Sequence, residues 1–237
     1  MKRPHSKVNF GLLNLVLSAS FLVSSAVRAE EAASFFIDHD VLTYYSNEAT
    51  PDKAGVEPSK QTGLVTTPRD VTIGIFWKEF GLYVTPGVAG GTVGLSYFAK
   101  KELEFGLLFG ADNTKLESQG AAPNTTATTE QKSTSIGAFG QYYLAISSDS
   151  SAEFSLTYLN SSLKRTTENP PAAQTTNNDS KSNLFTFVAQ YVVQVAPHFS
   201  VIPGLVYMFG NNKDDLGDTK DKVSNLSLNI AHFRYNF

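Results

Sequence analysis

The chain has no cysteine, which excludes a disulfide scaffold, a thiolate metal site and a cysteine nucleophile. Charge is scarce too, at 17% of 237 residues, against about 25% in an ordinary soluble domain. With a net charge of −3 there is no basic excess, and so no electrostatic footprint for nucleic acid. A mean hydropathy of −0.15 excludes a bundle of membrane helices. Methionine and tryptophan are few, whereas 17 Phe and 10 Tyr bring the aromatic fraction to 12%. Seventeen glycines and long Asn/Thr/Ser tracts supply much of the remainder. This is the composition of an aromatic-rich β protein.

Residues 1–29 read as a secretory signal peptide. Lys2, Arg3 and Lys7 form the basic segment, an apolar stretch runs from Phe10 to Val27, and Val27-Arg28-Ala29 offers a cleavage site. Asn14 and the serines from Ser18 to Ser25 weaken the rival reading, a membrane-spanning helix of about 20 strongly apolar residues. After cleavage the chain would carry a net charge of −7. It is expected to be an exported acidic protein.

From Phe35 onward the apolar period is two, the period of a strand with two different faces. Val71, Ile73, Ile75 and Trp77 form one such run; Leu103, Phe105, Leu107 and Phe109 form another. Phe154, Leu156 and Tyr158 continue the pattern, followed by Phe185 to Val195 and Phe199 to Phe209. Between these runs, polar connections at 46–68, 114–132, 164–182 and 211–222 read as long loops. Tight turns fall at Lys100-Lys101, Ser148–Ser151 and Pro197-His198. Alternation of long and short connections is the habit of a membrane barrel with short periplasmic turns and long extracellular loops. Aromatics gather at strand ends (Tyr44, Tyr45, Trp77, Tyr97, Phe98, Tyr142, Tyr143, Tyr207, Phe209), where interfacial girdles would lie. The chain stops on the aromatic run Phe233, Tyr235, Phe237.

The expected fold is therefore all-β: a closed antiparallel transmembrane β-barrel of 30–237. A soluble periplasmic β-sandwich is the alternative, since alternation alone does not separate the two. Eight strands are clear, and a hairpin over 69–87 turning at Lys78-Glu79 would make ten, the preferred number. Leu226, Leu228 and Ile230 are apolar on even positions, then Phe233, Tyr235 and Phe237 on odd ones, which predicts a bulge near Ala231-His232.

The ending Leu226–Phe237 resembles the C-terminal strand signature by which Gram-negative outer-membrane barrels are recognised for assembly. The stretch Tyr97–Gly106 resembles a hairpin of the small outer-membrane β-barrel superfamily, the OmpA/OmpX/OmpW-like proteins. The resemblance implies residence in a Gram-negative outer membrane, with the lipid bilayer and the barrel assembly machinery as partners. Phe233, Tyr235 and Phe237 would be the assembly signal.

Little in the sequence points to chemistry, and no catalytic, cofactor or metal site is expected. In Asp38-His39-Asp40 the two carboxylates share a face and His39 takes the other, a spacing that denies a base and its orienting partner hydrogen-bond reach. His198 in its turn and His232 in the expected bulge read as surface or rim residues. Asp214, Asp215, Asp218 and Asp221 share a loop with Gly217, but Leu216 breaks the alternate-oxygen pattern calcium prefers. Asn124, Asn160 and Asn225 begin glycosylation sequons that mean little in this setting. Glu102, Glu104, Asp112, Glu153, Gln141, Gln190 and Gln194 are the polar residues expected to point into the lumen. They would either hydrogen-bond across it and plug it or line a narrow, cation-leaning pore. The function read from this is a structural and surface-interaction role through polar extracellular segments. A narrow pore or transporter for small solutes and a soluble binding module are the alternatives.

Overall fold

The computed structural model describes residues 34–51, 57–65, 69–87, 90–119, 126–169, 174–214 and 219–237. The expected signal peptide and the loop carrying Asp215 and Asp218 lie outside these residues. Twelve strand segments follow in order: β1 Ser34–Pro51, β2 Ser59–Val65, β3 Arg69–Trp77, β4 Phe80–Gly87, β5 Gly90–Lys100, β6 Leu103–Gln119, β7 Thr126–Ala145, β8 Ser150–Asn169, β9 Gln174–Ala196, β10 Phe199–Val201, β11 Gly204–Asp214 and β12 Thr219–Asn236.

Each segment pairs antiparallel with its neighbours, and β12 returns to pair with β1 over its whole length, from Phe36↔Asn236 to Pro51↔Asp221. Closure leaves no sheet edge in the lower part of the barrel, the condition for a β-structure to sit in lipid; above it, β2 pairs with β1 alone and β6 beyond Asp112 with β7 alone. β2 and β3 pair with the upper and lower parts of β1 as one stave. β10 and β11, separated by Ile202-Pro203, likewise form one stave between β9 and β12. Twelve segments thus make a ten-stave barrel, with the 69–87 hairpin part of its wall.

Residue parity sets the two faces. On β6, Phe105, Leu107 and Phe109 face out while Glu104 and Leu108 are buried. On β9, Phe185 and Phe187 face out against buried Leu184, Thr186 and Val188. Parity slips where expected. Leu226, Leu228 and Ile230 point out, and beyond the irregularity opposite Asp40–Thr43 the outward residues become Phe233, Tyr235 and Phe237. On β12 the inward set changes from Asn225, Ser227 and Asn229 to His232 and Arg234. A one-residue slip flips every following side chain to the other face, so the bulge moves a histidine and an arginine inside.

The outer surface is an uninterrupted apolar band, since Leu95, Leu107, Ile136, Leu156, Phe187, Leu205 and Leu228 are all exposed. Aromatics flank it. Tyr158, Phe185 and Phe209 lie ring to ring in a row at one edge. Phe80 with Tyr97, Phe199 with Phe233 and Tyr235 with Phe237 mark the other. An exposed apolar belt between aromatic girdles is the lipid-facing surface of a transmembrane barrel. A soluble sandwich would bury it.

Two expectations are corrected. First, the polar segments read as loops are largely strand. β6 and β7 stay paired to Gln119↔Thr126, and β8 and β9 to Asn169↔Gln174. These tracts are polar on both faces because both are wet above the membrane, so alternation vanishes while pairing persists. Thr129 hydrogen-bonds Thr167 at 3.2 Å and Thr134 bonds Ser162 at 3.1 Å across the strands, the cross-strand pairing that polar β-formers favour. Second, Phe98 and Tyr143 belong to no girdle. Their neighbours Tyr97 and Tyr142 take the outer face, and successive side chains alternate, so both rings lie inside.

Candidate functional site: the filled lumen

The inner wall is built from aromatic rings set over small residues. Phe36 lies opposite Gly74, Phe76 opposite Gly81, and Phe139 opposite Gly106. A Cβ on Gly74 would fall 1.7 Å from the Phe36 ring, and one on Gly106 would fall 2.2 Å from that of Phe139. The absent side chains are what let the rings fold down across the lumen. Phe36, Phe76, Tyr83, Phe98, Phe139 and Tyr143 then pack ring to ring with centroids 5.5–6.2 Å apart. Leu108, Leu159, Leu184 and Met208 complete this cluster.

Toward the periplasmic end the filling is charged. Arg234 on β12 donates from Nη2 to Asp38 Oδ2 at 3.1 Å and from Nε to Asp38 Oδ1 at 3.3 Å, a forked pair with β1. Its Nη1 donates to Glu153 on β8 at 3.3 Å, and its guanidinium lies 5.6 Å from the Phe36 ring centroid. His232 Nε2 is 2.8 Å from Asp38 Oδ1 and its Nδ1 is 3.4 Å from Asp40 Oδ1. On the facing wall Glu104 accepts hydrogen bonds from the hydroxyls of Tyr83 and Tyr143.

Of the residues expected in the lumen, Glu104, Gln141, Glu153 and Gln190 are buried on the inner wall. Glu104 lies directly opposite Gln141, and Glu153 directly opposite Gln190. The side-chain amides of Gln141 and Gln190 form no hydrogen bond with protein. Asp112 is half-buried, Glu102 sits in the exposed β5–β6 turn, and Gln194 is exposed at the end of β9. Strand ends lie outside the closed interior, which is why those two differ. Phe233 is half-buried at the rim, and Tyr235 and Phe237 are exposed on the outer face.

Sequence reasoning missed Arg234 and misplaced His232, which is a lumen residue 1% exposed and not a rim residue. Its partner Asp38 is 194 positions away, and only ring closure joins them. The bulge is the signal that could have found the pair, because it reverses the parity of everything after Ile230. Asp38 and Asp40 do share the inner face, with His39 half-buried on the other. Among the described residues no group of three or more His, Cys, Asp or Glu is arranged to hold a metal ion.

This geometry closes a tube. Side chains at or below 5% exposure come from β1 (Phe36), β3 (Phe76), β4 (Tyr83), β6 (Leu108), β7 (Phe139), β8 (Glu153), β9 (Val188), β11 (Val206) and β12 (Arg234). A water-filled channel would leave inward side chains wet.

No family model matches the chain, and no curated protein matches it. Solved structures similar to it include Ail, the attachment invasion locus protein of Yersinia pestis. It is 14% identical, with 87% of this chain and 99% of that one covered at a TM-score of 0.34. Neisserial surface protein A is 14% identical, with 87% and 100% covered at a TM-score of 0.38. The outer membrane protease OmpT from Escherichia coli is 11% identical, with 90% and 100% covered at a TM-score of 0.40. At such identities and scores these likenesses carry nothing about activity. The outer-membrane-type barrel rests on this chain's own closure, apolar belt and aromatic girdles.

Proposed function

We propose that the chain is an integral outer-membrane β-barrel with a sealed lumen. It acts as a scaffold that presents the polar β-wall formed by the upper parts of β6 to β9 at the cell surface. The observation that carries this is the burial of inward side chains from nearly every stave, with Arg234 tied both to Asp38 and to Glu153. The upper wall is rich in Thr, Asn and Ser, exposes Lys132, Thr134, Asn160, Lys164 and Lys181, and stands above the membrane belt. Polar, sheet-ordered surface of this kind suits contact with polar partners outside the cell.

We read the chain as non-catalytic. His232 has a carboxylate partner in Asp38, but both are enclosed and Asp38 is also tied to Arg234, so no surface substrate reaches them. Delivery by the barrel assembly machinery through Phe233, Tyr235 and Phe237, and cleavage after Ala29, belong to the same proposal.

Planar-bilayer recording tests the sealed lumen. Wild-type protein should insert without discrete conductance steps. Stable steps from the wild type would favour the pore reading and overturn this one.

A further inference from the structure

Among the described residues the barrel carries ten staves in its lower part and eight above. β4 and β5 end upward at Gly87 and Gly90, and the two residues between them are too few to extend either strand. β6 runs on. Its last pair with β5 is Gly90↔Asp112, yet it stays paired with β7 to Gln119↔Thr126, without a register shift anywhere along that pairing. Beyond Asp112 the far side of β6 therefore faces two empty stave positions, with no strand against it among the described residues.

The register fixes which backbone groups look into that space. The Tyr143 N–H donates to the Glu102 carbonyl at 2.9 Å, and by the β6–β7 register these two residues stand opposite each other. Hydrogen-bonded pairs recur at every second position of an antiparallel ladder. Even-numbered residues of β6 thus bond β7, and odd-numbered ones turn N–H and C=O the other way. Above β5, those are Lys115, Glu117 and Gln119. A row of three donors and three acceptors is a template for another strand. Natural edges are blunted by proline, by bulges or by an unmatched lysine. Asn113–Gln119 has no proline and no bulge, and Lys115 is matched by Glu117, with Nζ 3.5 Å from Oε1. Because β7 already holds this edge in extended form, little ordering cost is left for binding.

We propose that the β6 edge from Lys115 to Gln119 binds an extended segment of another polypeptide, which adds as an antiparallel strand. The charges set its chemistry. In an antiparallel pair the residue opposite Glu117 precedes the one opposite Lys115 by two, so the matched segment reads, from N to C, basic, any, acidic. A second copy does not fit. Antiparallel pairing of two β6 edges needs a two-fold axis perpendicular to the strands, which would turn one barrel over in the bilayer. The inference rests on the proposed surface display of the upper wall and names the partner class for it.

The experiment uses the full mature chain folded in detergent micelles and follows the fluorescence anisotropy of short Thr/Val-rich peptides carrying either Lys-x-Glu or Glu-x-Lys. Wild type should bind the Lys-x-Glu peptide about threefold or more tightly than the other. Exchange of the two charges, Lys115→Glu with Glu117→Lys, should reverse that order while gel-shift melting stays unchanged. N-methylation of the peptide's Lys and Glu amides should abolish binding. N-methylation of the residues flanking them should not, since only the former amides point at β6. Lys115→Pro removes an N–H that β7 does not use, so it should fold as wild type and lose the peptide. No binding by wild type, equal loss from both methylation patterns, or an unreversed order in the exchange variant would each overturn the edge. A peptide-free dimer that Lys115→Pro dissolves would overturn it in favour of self-association. Resistance of Glu117→Cys on intact cells to a membrane-impermeant maleimide would overturn the surface display and the edge with it. Labelling there together with failed binding would remove the edge alone.

Discussion

Arg234, two residues before the end of β12, donates to Glu153 on β8 at 3.3 Å while its fork holds Asp38 on β1. One side chain thus spans from the closing seam to the opposite wall. Removing one partner of a buried ion pair costs about 3–5 kcal/mol, because the remaining charge is stranded. Arg234→Ala takes the guanidinium from Glu153 and leaves Asp38 with His232 alone. Urea unfolding in lipid vesicles should show a loss in or above that range, and a change under 1 kcal/mol would remove the arginine from the centre of the account.

The two faces should answer differently to arginine. Leu107 and Phe187 are 53% and 40% exposed on the lipid side, where arginine near the midplane costs about 2–4 kcal/mol. Val201 on the same face is half-buried. Gly106, Thr186 and Ser200 face the filled lumen, so arginine there meets packed side chains. Both sets should lower folding stability. In a sandwich the second set would be in water and nearly silent, and that outcome would remove the barrel.

Much of this was legible beforehand, for a physical reason. Within the bilayer one face meets lipid and the other does not, so Leu103–Phe109 and Phe185–Val195 alternate visibly. Above it both faces meet water, and at Thr126–Thr134 the alternation has no cause to persist. The inward rings escaped notice because Phe36, Phe76, Phe98 and Phe139 are the same residue types that face lipid. Parity distinguishes them, and for Phe36, Phe76 and Phe139 so does a facing glycine.

Those glycines give a test of the ring-over-glycine packing. Gly106→Ala forces a methyl group against the Phe139 ring and should cost about 1–3 kcal/mol as overpacking. Adding Phe139→Leu should recover part of that loss. Strict additivity of the two substitutions in a double-mutant cycle would show that they do not touch.

His198, at φ 67°, occupies a left-handed position in the Pro197-His198 turn. A β-branched side chain is a poor fit there, so His198→Val should cost about 1–2 kcal/mol. His198→Gly should be neutral or slightly stabilising. Equal stability of the two variants would show that the turn does not hold that conformation.

Phe237 packs on Tyr235 and on Phe35, with centroids 4.6 and 5.0 Å away, and its N–H donates to the Phe35 carbonyl at 2.8 Å. The terminal ring thus lies on the seam between β12 and β1. Phe237→Ala should reduce outer-membrane yield in cells while refolding into vesicles is slowed only modestly. Unchanged yield in cells would sink its role as an assembly signal.

The absence of cysteine makes thiol labelling the most direct test of a sealed, membrane-spanning barrel. Single cysteines are placed at Thr134 on the upper wall, Thr186 in the lumen, Phe187 on the lipid face and Lys100 at the opposite rim. On intact cells a membrane-impermeant maleimide should label Thr134→Cys rapidly and the other three not at all, with Lys100→Cys labelled once the outer membrane is opened. Labelling of Thr186→Cys as fast as Thr134→Cys on intact cells would contradict the sealed lumen.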